Sequence, residues 1–249
     1  MMNNMTDTVK QLLIINVLFF IGSYFVPQAN ELLSLHYFES DGFKFWQPIT
    51  HMFMHGSLMH IFFNMFALIS FGSALEHFWG TKKFLFFYLS CGIGAALVHS
   101  GVNYYYFHDA QNMLLQNGVS MADIQTLIKG GSVNINVPDT LLLQQYVNQM
   151  GDAFNTQAVG ASGAIYGLLV AFAFMFPNAE LAFMFIPVPI KAKYFVPVIV
   201  LLDLFSGVTG YSIFGGNIAH FAHVGGALIG FVMMWYWKKN QFDKNRWDR

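Results

Sequence analysis

Six apolar runs separated by polar segments set the first expectation for this chain: Leu12–Val26, Met54–Phe78, Phe84–Ser100, Ser162–Phe176, Tyr194–Phe205 and Asn217–Trp237. Several approach the roughly 20 residues that a helix needs to cross about 30 Å of hydrocarbon. The runs are apolar on all faces and do not alternate, which disfavours the strands of a membrane β-barrel. A helix also satisfies its backbone groups internally in lipid, as an isolated strand does not. The pattern predicts an all-α polytopic membrane protein with six transmembrane helices. The fifth run is the least regular: Pro187, Pro189 and Pro197 allow kinks or a start nearer Pro187, and Asp203 interrupts its apolar character.

Composition excludes the soluble alternative. Hydrophobic residues make up 55% of the chain and charged residues 10%, against about 25% charged in a soluble domain. A formal net charge of −1 and the lack of a basic patch with interleaved aromatics leave no sign of nucleic acid as a partner. The single cysteine, Cys91, lies in an apolar run and reads as a buried thiol. The N-terminal segment carries only Asp7 and Lys10 as charges, without a small-residue cleavage site after the apolar run, so Leu12–Val26 reads as a first span rather than a signal peptide.

Charge gives the spans a direction. Ten of the 12 basic residues (Lys10, Lys82, Lys83, Lys191, Lys193, Lys238, Lys239, Lys244, Arg246 and Arg249) fall at the termini or in the two connections on the same side; Lys44 and Lys129 fall opposite. That asymmetry places both termini in the cytoplasm. The chain reads as one membrane domain over residues 1–249, with an interfacial first loop at 27–53 and a long extracytoplasmic insertion at 101–160. The first loop carries His36, Tyr37, Phe38, Phe43, Phe45 and Trp46, a mix suited to short amphipathic helices at the headgroups. The insertion is more polar, with a helical stretch from Thr140 to Met150; it is a small external subdomain or a partly ordered loop.

Strongly polar groups within spans are costly and are functional candidates by default. His60 and Asn64 lie four apart on one face of the second span. The fourth span opens with Gly160-Ala161-Ser162-Gly163, and the sixth carries His220 and Ala222-His223-Val224-Gly225-Gly226. Counted along the runs, His60 and His223 each lie roughly 9 Å below the start of their helix. The fourth span, roughly 22 Å long, begins at Ser162 inside the membrane. Three segments thus bring Ser162, His60, Asn64 and His223 to one depth. A serine hydroxyl needs a neighbouring base, which neutral imidazole supplies. Asn64, His60 and the Ser162 backbone N–H are donors suited to a developing oxyanion. The pairs Gly163/Gly167 and Gly226/Gly230 let the fourth and sixth helices approach closely. His51 and His220 stay open between structural bonding and support of the site, and His55, His77 and His99 read as interfacial anchors.

These segments resemble the rhomboid family of intramembrane serine proteases. The stretch from His51 to Asn64 is similar to the family's second-helix signature, Gly160–Gly163 to its G-x-S-G nucleophile motif, and Ala222–Gly226 to the motif of its general base. The resemblance covers almost the whole chain and implies a six-transmembrane-helix rhomboid-like bundle of the bacterial type, in the bacterial inner membrane. It implies a serine endopeptidase with Ser162 as nucleophile and His223 as general base, a dyad without an acidic third member. His60, Asn64 and the Ser162 amide would form the oxyanion hole, Tyr166 would pack on the base, and Glu76 would be structural. Trp46 matches the family's first-loop tryptophan, whereas Gln47 stands where many members have arginine. Implied partners are transmembrane protein substrates and membrane lipid. No metal, soluble cofactor or nucleic acid is expected. Substrate access would pass the fifth helix and the loop 206–216.

Three classes of alternative are weighed: another intramembrane hydrolase, a transporter or metal channel, and a non-cleaving relative. A zinc protease would show H-E-x-x-H, which is absent, and an aspartyl protease would need a second intramembrane aspartate beside Asp203. A transporter or metal channel could use His51, His55, His60 and His220 as ligands. A non-cleaving relative could bind or escort membrane proteins.

Overall fold

The computed structural model describes residues 5–133, 140–183, 186–211 and 219–240. The expected start of the sixth span at Asn217, part of the loop 206–216 and the basic residues beyond position 240 lie outside them. The described residues form a largely helical bundle. Its four helices long and apolar enough to cross a membrane are Asp7–Phe25 (α1), Leu58–Trp79, Thr81–Gln116 (α6) and Ala192–Thr209 (α10). Ser162–Met175 (α9) is a shorter apolar helix. His220–Asn240 (α11), whose first two turns carry two histidines and two glycines, closes the bundle.

The helix at Leu58–Trp79 is built from α4 (Leu58–Ala67) and α5 (Ser73–Trp79), joined through a π-helical turn at Leu68–Gly72. That turn carries one extra residue in its hydrogen-bonded ring. Ser57 caps α4 by accepting the His60 N–H, which starts the helix four residues later than the apolar run. At the far end, the Glu76 carboxylate accepts N–H bonds from Thr8 and Val9 at 3.2 Å, and hydroxyl bonds from Thr6, Thr8 and Thr81. A carboxylate at the first turn of α1 satisfies amides that have no partner within the helix. Glu76 is therefore a structural cap supplied from another helix.

The apolar run of the third span ends at Ser100, yet α6 continues without a break to Gln116 and is 36 residues long, about 54 Å at 1.5 Å per residue. Its extension is amphipathic: Phe107, Ala110 and Leu114 share one buried stripe. Against that stripe pack α7 (Met121–Ile128) and α8 (Thr140–Asn155), with Ile124, Leu143, Met150 and Ala153 completing a second hydrophobic cluster. The polar insertion is thus a helical subdomain with its own core. Tyr37 of the first loop enters the same cluster, its ring 5.2 Å from Phe107 and 5.6 Å from Phe154.

The first loop holds two short helices, α2 (Gln28–Leu33) and α3 (Gln47–Thr50), followed by a 3-10 turn at His51–Phe53. Gln47 is fully buried; its side chain accepts the His36 N–H at 3.2 Å and donates to the Gly42 carbonyl at 3.0 Å. A neutral amide therefore makes the loop-anchoring bonds at this position. Between α9 and α10 lies an antiparallel hairpin of β1 (Glu180–Phe183) and β2 (Ile186–Lys191), a small exception to the helical reading. Its proline-rich second strand ends where α10 begins, at Ala192.

Outside the packed interior, large apolar side chains are bare on α1 (Leu18, Phe25), α4 (Leu58, Phe62), α10 (Leu201, Phe205) and α11 (Val232, Trp235). Apolar faces of this extent suit lipid rather than water. In the interior, α9 is the central helix, with Gly163–Ile165 and Gly167–Ala171 all buried. Small residues set its contacts. A Cβ on Gly167 would meet Cys91 Sγ at 2.4 Å, and one on Gly230 would meet the Gly167 Cα at 2.8 Å. The backbones of α9 and α11 pack with nothing between them.

Candidate active site

Three chain segments converge at the end of the bundle opposite Thr6 and Glu76. The first is the His51–Asn64 stretch. The second is Ala158–Ser162, held by a two-residue bridge in which Leu35 and Ala158 exchange N–H···O bonds of 2.9 and 3.0 Å. The Gly160 N–H also donates to the His51 carbonyl at 2.9 Å. Gly160 has φ of 122°, and a Cβ there would lie 2.7 Å from the His60 ring and 3.5 Å from Asn64 Nδ2. Both the backbone angle and the space require glycine. The third segment is the first turn of α11.

Ser162 is the first residue of α9, so its N–H has no partner within the helix. Its Oγ lies 2.8 Å from His223 Nε2. The Tyr166 ring stacks on the His223 imidazole, centroids 4.3 Å apart and planes 11° from parallel. His60 and Asn64 stand one turn apart on α4, across Gly160 from Ser162, and Asn64 Nδ2 is buried without a hydrogen-bond partner among the described residues. The structure thus brings Ser162, His223, Tyr166, His60 and Asn64 into one neighbourhood. Depth arises differently from the sequence count. His60 is the third residue of α4 and His223 the fourth of α11, so each stands nearer the start of its helix than the apolar runs place it.

The remaining histidines separate. His51 is buried, and its Nδ1–H donates to the Gln47 carbonyl at 2.9 Å. Burial pushes its pKa down to about 4, so the ring is neutral. His55 is also buried, its ring centroid 5.0 Å from that of His60. Burial first, and then the His60 ring, lower its pKa to about 4. His99, an interfacial anchor by the sequence reading, is instead buried inside α6 beside Asn103, at 3.2 Å. His220 bonds to a carboxylate.

That carboxylate is Asp203, which the sequence reading notes as an interruption of the fifth span and does not assign to the site. Asp203, on α10 and 2% exposed, has its Oδ1 3.1 Å from His223 Nδ1 and 2.6 Å from His220 Nδ1. Its Oδ2 accepts the Tyr166 hydroxyl. The expectation of a base with no acidic neighbour is therefore corrected: the ring facing Ser162 contacts a buried aspartate on its other side. The signal available in the sequence was the cost of a carboxylate within an apolar span, which demands a partner. No residue within α10 supplies one, so the donors had to come from other helices.

The Rhomboid domain family matches residues 42–240, which include the His51–Asn64 stretch, Ser162, Asp203 and His223. The chain is 26% identical over 240 residues to the human presenilin-associated rhomboid-like protein, mitochondrial, covering 94% of this chain and 49% of that protein. It is 25% identical over 191 residues to Rhomboid protein 1, mitochondrial, of Saccharomyces cerevisiae, covering 77% and 41%. Rhomboid protease GluP of Bacillus subtilis is 25% identical over 129 residues, 52% of this chain and 25% of that one. The chain thus spans about half or less of the length of these relatives.

Proposed function

The chain belongs to the rhomboid family, and on that premise we propose that it is an intramembrane serine endopeptidase that cuts transmembrane protein substrates. The observation that carries this reading is the 2.8 Å contact between Ser162 Oγ and His223 Nε2 at a helix start within an apolar bundle. A serine hydroxyl and an imidazole at that distance are arranged for proton transfer.

In the proposed reaction His223 Nε2 takes the Ser162 hydroxyl proton as Oγ attacks the scissile carbonyl carbon. The carbonyl oxygen becomes an oxyanion, facing Asn64 Nδ2, the His60 ring and the Ser162 N–H. Collapse of the intermediate breaks the C–N bond, and the leaving amine takes the proton from Nε2. Water then enters by the same route: His223 accepts its proton, its oxygen attacks the acyl carbon, and Ser162 leaves with the proton returned. Preorganised donors in a site of low dielectric account for much of such catalysis. Tyr166 fixes the plane of the imidazole. No cofactor takes part in this chemistry.

We further read the bundle as six spans: α1, α4 with α5, α6, α9, α10 and α11. Among the described residues, Lys82 and Lys83 open α6 and Lys238 and Lys239 end α11, and Lys83 lies over the Trp237 ring, 4.2 Å from its centroid. This supports cytoplasmic termini and a site opening to the extracytoplasmic side. A bacterial inner membrane is the proposed location, and α10 with the loop after it the proposed route of substrate access. The relatives named mitochondrial keep an organellar membrane as the second location.

The test is cleavage of a reporter transmembrane substrate by purified protein in detergent or liposomes. Ser162→Ala and His223→Ala should each abolish product while leaving the melting temperature close to the wild type. Undiminished cleavage by Ser162→Ala would sink the assignment. An active-site serine probe should label the wild type and not Ser162→Ala.

A further inference from the structure

We propose that Asp203 is the positioning carboxylate of the site: it holds His223 in the tautomer and orientation that leave Nε2 free to accept the Ser162 proton. This rests on the reading of Ser162 and His223 as the reacting pair.

The argument starts from what a carboxylate can accept. Ionised, it has no hydrogen to donate. The 3.1 Å contact from His223 Nδ1 to Oδ1 is therefore a bond in which Nδ1 carries the hydrogen. A neutral imidazole has one N–H, so Nε2, 2.8 Å from Ser162 Oγ, bears the lone pair. The line from Oδ1 through the ring to Oγ is continuous. When the ring takes the serine proton it becomes cationic, and the carboxylate already in place offsets that charge where water is scarce.

The carboxylate is itself held. Its Oδ1 also accepts the His220 Nδ1–H at 2.6 Å, and its Oδ2 accepts the Tyr166 hydroxyl. Three donors from α9 and α11 satisfy a group that is 2% exposed, which makes a buried charge tolerable. Tyr166 contributes twice: its ring fixes the plane of the His223 imidazole, and its hydroxyl fixes the acid that sets the ring's rotation in that plane. A carboxylate serving only to fasten helices would be satisfied by His220 and Tyr166, with no need to touch the ring that faces Ser162.

The experiment joins kinetics to a direct reading of the tautomer. Asp203→Asn should lower kcat by up to about 10⁴-fold, the loss seen when the orienting acid of a serine–histidine–aspartate site is replaced by its amide. KM should change little, since the lost interaction belongs to the reacting state. In parallel, 15N NMR of histidine-labelled protein, with the His223 signals identified by their loss in His223→Ala, should show a protonated Nδ1 and bare Nε2 in the neutral wild-type ring. The opposite tautomer should appear in Asp203→Asn. Wild-type His223 carrying its proton on Nε2 overturns the proposal, and this measurement stands even if Asp203→Asn fails to fold. Cleavage abolished by Ser162→Ala but untouched by Asp203→Asn overturns it alone. Cleavage that survives Ser162→Ala overturns the protease reading and the proposal with it.

Discussion

Gly163 and Gly226 meet backbone to backbone: a Cβ on Gly226 would fall 1.8 Å from the Gly163 carbonyl oxygen. Gly163 directly follows Ser162, and Gly226 lies three residues after His223. The distance between the two proposed reacting groups is therefore set by a contact in which neither residue can carry a side chain. The atoms nearest that Cβ all belong to the Gly163 backbone, so α9 and α11 must separate if a methyl group is added at Gly226.

Gly226→Ala should accordingly lose activity far more than stability. Overpacking of this kind costs about 1–3 kcal/mol, yet a displacement of about 1 Å between reacting groups can cost on the order of 100-fold in rate. The check is the labelling rate of Ser162 by a serine-reactive probe, alongside a thermal melt. A variant that melts a few degrees lower but labels at the wild-type rate would show that the glycine contact does not set the Ser162–His223 distance.

Asn64 offers the opposite separation of effects. Its Nδ2 is buried with no hydrogen-bond partner among the described residues, so Asn64→Ala breaks no donor bond of the resting protein there. If the amide donates to the oxyanion, kcat should fall by about 10²–10³, the loss typical of removing one such donor, with folding intact. Cleavage slowed by that factor with an unchanged melt is the expected outcome. Unchanged kcat would remove Asn64 from the oxyanion hole and leave Ser162 and His223 unaffected.

Much of this site is legible in the sequence because its residues fall in short motifs at helix starts. Ser162 directly precedes Gly163, Gly225 follows two residues after His223, and His60 and Asn64 share one helical face, each a polar interruption of an apolar run. The small-residue pairs at 163/167 and 226/230 name the helices that must touch. Asp203 is different. Its neighbours in sequence are leucines and valines, and its partners lie 17, 20 and 37 residues away on α9 and α11. Which face of α10 turns inward is decided by packing, so hydropathy records Asp203 only as a blemish in a span. The extension of α6 is hidden for another reason: beyond Ser100 the helix leaves the apolar layer and changes from uniform hydrophobicity to a stripe at Phe107, Ala110 and Leu114. That stripe is readable once helical spacing replaces mean hydropathy as the criterion. Gln47 shows the reverse case, an unremarkable polar residue whose complete burial appears only when the loop is folded around it.

The buried histidines ahead of α4 give the protein a defined acid limit. His51 is 4% exposed and its pKa is pushed down to about 4, against about 6.5 for an ordinary histidine. Above pH 6.5 the ring is neutral whether the chain is folded or unfolded, and its contribution to stability is complete. As pH falls from 6.5 towards 4 the unfolded ring binds a proton and the folded ring does not, so stability is lost. Below about 4 both forms are protonated and the loss stops. The interval of about 2.5 units corresponds to about 3 kcal/mol. His55, also pushed down to about 4, adds a loss of the same sign over the same window. His51 matters most locally, because its carbonyl accepts the Gly160 N–H two residues before Ser162. Thermal melts of purified protein between pH 7 and pH 4.5 should therefore fall steeply for the wild type. His51→Gln, which cannot take up a proton, should lower the melt at pH 7 and flatten its dependence on pH. A wild-type profile as flat as that of His51→Gln would mean that the ring is reached by water and protonated in the folded protein.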